Sequence, residues 1–135
     1  HGVIPTFFRD EGVEVIYGEC DKMTYTETMS ERKRIMEEDC DAFIITPGGI
    51  GTFEEFFEVL TLKQLGRHTK AIAIYNIDNY YDELEKFMQT VLEKKFINFK
   101  CYEMYSYFDR EEDIIEYLEG YSPADTPWQK LKIGD

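Results

Sequence analysis

Short apolar runs alternate along the chain with longer stretches of helical period. Residues 13–18, VEVIYG, predict a strand, and 24–40, TYTETMSERKRIMEEDC, a helix with Thr and Ser available as caps near its start. AFIIT (42–46) is a continuous apolar run of strand length, and TFEEFFEVLTLKQLG (52–66) is a helical pattern stopped by Gly66. KAIAIYN (70–76) predicts another buried strand. YYDELEKFMQTVLEKKF (80–96) predicts an amphipathic helix with Tyr80, Tyr81, Leu84, Phe87, Met88, Val91 and Leu92 on one face. A last strand over 102–108 and a last helix over 110–121 complete the series. Residues 122–135, with two prolines, are expected to form an extended or poorly ordered tail. Strands separated by helices of this length imply parallel βαβ units, hence one α/β, doubly wound domain over residues 1–121.

In such sheets ligands bind beyond the carboxyl ends of the strands. One of those ends carries TPGGIGTFEE (46–55), three glycines within four residues and then the start of a helix at about Thr52. The first amides of a helix lack intrahelical partners and the helix dipole adds positive charge, so a phosphate is the natural occupant. Gly48, Gly49 and Gly51 would let the backbone turn tightly and approach phosphate oxygens. No lysine follows in the P-loop manner, and the spacing is not GxGxxG. The same residues also fit a tight turn followed by a capping box, Thr52 and Glu55 each satisfying the other's amide.

A second cluster is MSERK (29–33). At helical spacing Met29, Met36 and Cys40 form one stripe, Arg32 and Lys33 flank it, and Glu31 and Arg34 point away. Cations bordering a buried stripe either snorkel or are presented to an anion. The glycine-loop helix is itself apolar nearly all round through Phe53, Phe56, Phe57, Val59, Leu60, Leu62 and Leu65, which predicts burial on most sides, by a subunit interface or between the sheet and a missing N-terminal segment.

Composition narrows the partners. A net charge of −13 argues against nucleic-acid and anionic-membrane surfaces, so any phosphate must be met locally by backbone amides and a few placed cations. No apolar run approaches the roughly 20 residues needed to span a bilayer. Cys20, Cys40 and Cys101 are odd in number and widely spaced, which fits reduced thiols of a cytoplasm. With His1 and His68 the only imidazoles and no CxxC pair, neither a metal site nor a cofactor is expected.

PGGIGTFEE together with MSERK resembles the LOG ("lonely guy") family, whose members carry PGGxGTxxE and a motif close to MHxRK. The likeness runs through QLGRHTKAIAIYNIDNYYDELEKFMQTVLEKKFI and covers about residues 2–97. Ser30 stands where many members have histidine, and Asn79 where many have glycine. The resemblance implies a Rossmann-like fold and a nucleoside 5′-monophosphate phosphoribohydrolase. Such an enzyme cleaves the N-glycosidic bond of a cytokinin riboside monophosphate or AMP-like nucleotide to free base and ribose 5-phosphate. By motif match, Arg32 and Glu55 take the catalytic positions, and Lys33, Gly48, Gly49, Gly51 and Thr52 the phosphate and ribose positions. It also implies a homodimer, and it places GVIP (2–5) mid-way along a family member, so an upstream βαβ portion is expected to be missing from this chain. Members are often labelled lysine decarboxylases; no lysine here has a recognisable pyridoxal-phosphate context, and that reading is rejected. The alternative is a nucleotide- or cofactor-binding module on the same scaffold without hydrolysis, against which the Arg32 and Glu55 pair argues.

Overall fold

In a computed structural model the described residues are 1–12 and 16–123. The chain forms two compact units, His1–Cys40 and Asp41–Asp135.

In the first unit, β1 (Gly2–Pro5) and β2 (Met23–Thr26) pair in parallel, Gly2 opposite Met23 and Pro5 opposite Thr26. α1 (Thr6–Asp10) follows β1 directly, and α2 (Met29–Glu38) follows β2. The strand expected at 13–18 is not formed at 16–18, which has no regular structure; residues 13–15 lie outside the described residues. The strand sits instead at 23–26, on what the pattern predicted as the front of a helix. β-Branched Thr24 and Thr26 around Tyr25 favour extended backbone, and the helix waits for a cap. Thr28 is that cap: its side chain accepts from the Glu31 N–H at 3.1 Å, while the Glu31 carboxylate accepts from the Glu27 N–H at 3.0 Å.

In the second unit, β3 (Ala42–Ile45), β4 (Ala71–Tyr75) and β5 (Ser106–Phe108) form a wholly parallel sheet in the order β3-β4-β5. β3 leads into α3 (Ile50–Gln64). β4 leads through a 3₁₀ turn (Ile77–Asn79) into α4 (Asp82–Glu93). α5 (Phe99–Tyr102) precedes β5, and α6 (Glu111–Gly120) follows it. The strand expected over 102–108 is shorter because Asn98 caps α5, its side chain accepting from the Cys101 N–H at 3.0 Å. Parallel strands joined through helices make this an α/β structure consistent with a Rossmann-like arrangement.

The core lies where α3 and α4 meet the sheet. Ile72 and Ile74 of central β4 are fully buried with Phe56 of α3, each such side chain contributing about 2 kcal/mol of transfer free energy. Gly66, at φ +69°, ends α3: its N–H donates to Lys63 O at 3.0 Å and the Arg67 N–H to Leu62 O at 2.8 Å. One burial expectation needs correction. Along α4, Tyr81 and Met88 are buried, but Tyr80 and Phe87 are 49% and 60% exposed, because the apolar face is wider than the sheet covers. On α3, Phe56, Val59 and Leu60 are buried in the core, whereas Ile50, Phe57 and Leu65 are exposed.

Candidate active site

β3 ends at Ile45 and α3 begins at Ile50, so the glycine loop is a four-residue strand-to-helix junction. The helix starts two residues before the position the sequence suggests. Gly49 is its N-cap, with no side chain to bond the first turn, and its carbonyl accepts from the Phe53 N–H at 3.2 Å. Thr52 is therefore the third helical residue and cannot be the N-terminal member of a capping box with Glu55. The amides of Gly49, Ile50, Gly51 and Thr52 are the four that a helix start leaves without intrahelical acceptors.

The glycines serve space rather than unusual torsion. Among the described glycines only Gly12 and Gly66 have positive φ, so the short junction turns without a left-handed glycine. A Cβ at Gly48 would overlap the Thr52 side chain. At Gly49 and Gly51 a Cβ would meet nothing within 4 Å. Gly51 stands inside a helix, where glycine costs about 1 kcal/mol relative to alanine. Among the described residues no close contact requires it there. Glu55 is half-buried one turn beyond Gly51, and Glu54 beside it is exposed.

The loop is held from the far side of β4. The Tyr80 hydroxyl donates to Gly48 O at 2.7 Å, and the Tyr81 hydroxyl donates to Thr46 O at 2.6 Å. Tyr81 is 1% exposed, and burial pushes its pKa up, so it stays a donor. Asn76, buried just after β4, holds Tyr81 and the start of α4: its Oδ1 accepts from the Tyr81 N–H at 2.6 Å and its Nδ2 donates to Asp82 Oδ1 at 2.8 Å. Asp78 and Asn79, at φ +53° and +59°, make the reversal that brings the tyrosines back to the loop. Asn tolerates that left-handed conformation better than most residues, as glycine does. The sequence pattern assigned both tyrosines to a core face. The signal that could have found them was the asparagine at the end of a buried strand, followed by a turn-forming Asp-Asn pair.

In the first unit Arg32 and Lys33 sit together on α2, both half-buried, while Arg34 is exposed and pairs with Glu38 at 3.2 Å. The Arg32 Nε donates to Val3 O on β1 at 3.2 Å, which fixes the guanidinium relative to that strand. The stripe expected to run beside them is not buried: Met29 is half-buried and Met36 is 42% exposed. Glu31 does not point away either, since it closes the α2 cap. Gly48, Gly49, Gly51, Thr52 and Glu55 thus gather at one junction of the second unit, and Arg32 and Lys33 on one helix of the first.

A family model described as "possible lysine decarboxylase" matches residues 1–118. The cytokinin riboside 5′-monophosphate phosphoribohydrolase LOG2 of Arabidopsis thaliana is 35% identical over 108 residues, 80% of this chain and 51% of that protein. LOG4 of the same plant, with the same activity in its name, is 39% identical over 96 residues, 71% of this chain and 45% of the relative. The probable phosphoribohydrolase LOGL3 of Oryza sativa subsp. japonica is 36% identical over 123 residues, 90% of this chain and 57% of the relative. The chain belongs to the LOG family. It spans about half the length of the relatives it matches.

The decarboxylase label carried by the LOG family model does not fit the lysines present. Lys63 is the one fully buried lysine among the described residues, and it is held by Met104 O at 2.8 Å and the Tyr121 hydroxyl at 3.0 Å. It lies 13 residues along α3 from Ile50, roughly 20 Å from the glycine loop at helical rise. Among the described residues no three His, Cys, Asp or Glu side chains are grouped to hold a metal ion, and no helix is long and apolar enough to cross a membrane.

Proposed function

We propose that this chain carries the phosphate-binding and hydrolytic segment of a nucleoside 5′-monophosphate phosphoribohydrolase. The observation that carries the reading is Gly51: a helical glycine whose Cβ would meet no atom of the described residues within 4 Å, placed among four amides without intrahelical acceptors, one turn before a half-buried carboxylate. The phosphoribohydrolase names of its relatives agree with that chemistry. Gly48, Gly49, Gly51 and Thr52 present backbone amides to the 5′-phosphate, and Lys33 is assigned to phosphate binding by its motif alone. Phosphate anchored there puts the ribose toward Glu55. Breaking the C1′–N bond develops positive charge on the sugar, which a carboxylate stabilises while it orients the incoming water. The water oxygen bonds to C1′, the base leaves with the bonding electrons, and the water's proton accompanies it. Arg32 serves as an anion contact for phosphate or departing base, since a guanidinium is too weak an acid to donate the proton itself.

Two finer readings go with this one. A second copy of the chain is the proposed partner for the exposed apolar side of α3, Ile50, Phe57 and Leu65. Light scattering at micromolar concentration is expected to find a dimer, and a monomer would remove that reading. A cytoplasmic location is proposed from three free thiols, Cys20, Cys40 and Cys101.

The test of the activity is chromatography after incubation with AMP and with cytokinin riboside monophosphates. Free base and ribose 5-phosphate in equal amounts are expected. Protection against melting by these nucleotides without base release would leave a binding module.

A further inference from the structure

We propose that Tyr80 is a positioning residue, a latch that holds the Gly48–Gly49 peptide so that the Gly49 N–H faces the bound phosphate. The inference rests on the phosphate-site reading above and says how that site keeps its donors aimed.

The argument starts from peptide geometry. In a trans peptide the carbonyl and the following N–H point to opposite sides of the chain, and no described peptide here is cis. The Gly48 carbonyl is engaged by the Tyr80 hydroxyl at 2.7 Å, so the Gly49 N–H is turned away from Tyr80. Gly49 is the N-cap of α3, and its N–H belongs to the helix-start donors. This peptide is also the one most able to turn over. Flanked by two glycines, it rotates without moving a Cβ. Turned over, it would set a carbonyl oxygen where the amide stood, and a phosphate would meet a partial negative charge in place of a donor. Holding the carbonyl on Tyr80 makes that rotation cost a hydrogen bond.

The neighbouring tyrosine supplies an internal control. Tyr81 makes a bond of the same kind, 2.6 Å to Thr46 O, from a ring packed against that of Tyr80 at 4.9 Å. The residue after Thr46 is Pro47, which has no N–H to aim. Tyr81 therefore anchors the end of β3 without orienting a donor. Tyr80 is half exposed and Tyr81 buried, as a site residue and a core residue should be.

The test is calorimetric titration with inorganic phosphate, AMP and adenosine of the wild-type chain, Tyr80→Phe and Tyr81→Phe, each also melted thermally. Tyr80→Phe is expected to weaken phosphate and AMP roughly tenfold, the loss that follows when the competent peptide orientation falls to about a tenth of the population. Its affinity for adenosine, which has no phosphate, should not change, and in base release from AMP its KM should rise. Tyr81→Phe is expected to lower the melting temperature while keeping phosphate affinity within about twofold. Undiminished phosphate affinity in Tyr80→Phe would overturn the latch and leave the phosphate site standing. Equal losses in the two variants would also overturn it, because they would report a general loosening of the loop. A wild-type chain that binds neither phosphate nor AMP would overturn the site itself, and the latch with it.

Discussion

The two ends of α3 handle charge in opposite ways. At the N-terminus Gly49 and Gly51 leave the helix start open, with space above them and no side chain bonding the first turn. At the C-terminus Lys63 is fully buried and bonded to Met104 O and the Tyr121 hydroxyl, its ammonium also lying 5.1 Å from the Tyr121 ring. A helix favours an anion at its start and a cation near its end. Here the cation is built into the chain, whereas the first turn carries no acidic residue, and the proposed phosphate would supply the anion. The built-in charge is costly: desolvation pulls the Lys63 pKa down from 10.5 to about 8. One end thus holds its charge inside the fold at a cost in desolvation, and the other leaves its first turn uncapped by any side chain.

The contrast is broken most decisively at Glu55, the ionisable group closest to the open end that the proposed chemistry uses. In a form of the protein that releases base, Glu55→Gln is expected to lower turnover by roughly 10²–10⁴-fold, the range for losing a charged group that acts in the transition state. Glu54→Gln, exposed and about 100° away around the helix, should leave turnover near wild type. Arg32→Ala should also depress base release, and the exposed Arg34→Ala should not. Since Thr52 is inside α3, a Gln at 55 takes away no cap, so capping does not compete as an explanation. An active, cooperatively melting Glu55→Gln protein would demote the N-terminal end to a binding site.

That end was legible in the sequence because its signals are local. A continuous apolar run, then glycines, then helical period reads as a strand turning into a helix, although only Ile45 of that strand is buried, and Gly66 marked the far end for the same reason. The helix start was misplaced by two residues because Thr52 and Glu55 mimic a cap that Gly49 makes unnecessary. β2 was missed because residues 23–26 are short and mixed in polarity, and the helical period after them extends backwards without a break. The Thr28-to-Glu31 spacing was the boundary that should have stopped it. The Tyr80 contact could not be read at all: it joins residues 32 apart through two left-handed positions. Nor does periodicity reveal how far a sheet extends, so Phe87 was assigned to a face that the sheet leaves uncovered.

The closed end of α3 gives the next largest effect, and it is a pH dependence. Lys63 binds its proton up to about pH 10.5 in the unfolded chain but releases it near 8 in the folded one. Between those values the unfolded state holds more protons, so stability rises with pH; below 8 the whole cost of burying the charge is present. A shift of this size corresponds to about 3 kcal/mol. Burial raises the pKa of Cys101, and raised tyrosines such as Tyr75, at about 12, act in the opposite direction at higher pH. The measurement therefore belongs between pH 7.5 and roughly 8.5, before the unfolded Cys101 thiol titrates to any large extent. Chemical denaturation across that window should show stability increasing with pH in wild type and flat in Lys63→Met. The variant's gain at neutral pH will be smaller than its loss of slope, because Met104 O loses its buried donor at a cost of about 1–3 kcal/mol. A wild-type profile that is flat over this window would mean that Lys63 keeps its charge without penalty.

The smallest effect tests the open end most directly, because it should move stability and binding in opposite directions. Gly51 lies in the helix with φ outside the left-handed region, and a Cβ there meets nothing within 4 Å among the described residues. Gly51→Ala should therefore stabilise the protein by about 0.4–1 kcal/mol, through a less flexible unfolded chain and better helix propensity. If the open space above Gly51 is where phosphate oxygens approach, the added methyl must push them away, and AMP should bind at least several-fold more weakly. Thermal melting with and without AMP reads both quantities, since ligand protection scales with affinity. The expected result is a higher melting temperature without nucleotide and a smaller rise when nucleotide is added. Greater stability with undiminished protection would place the phosphate elsewhere. It would also leave a helix-weakening glycine at this position with no physical reason to be there.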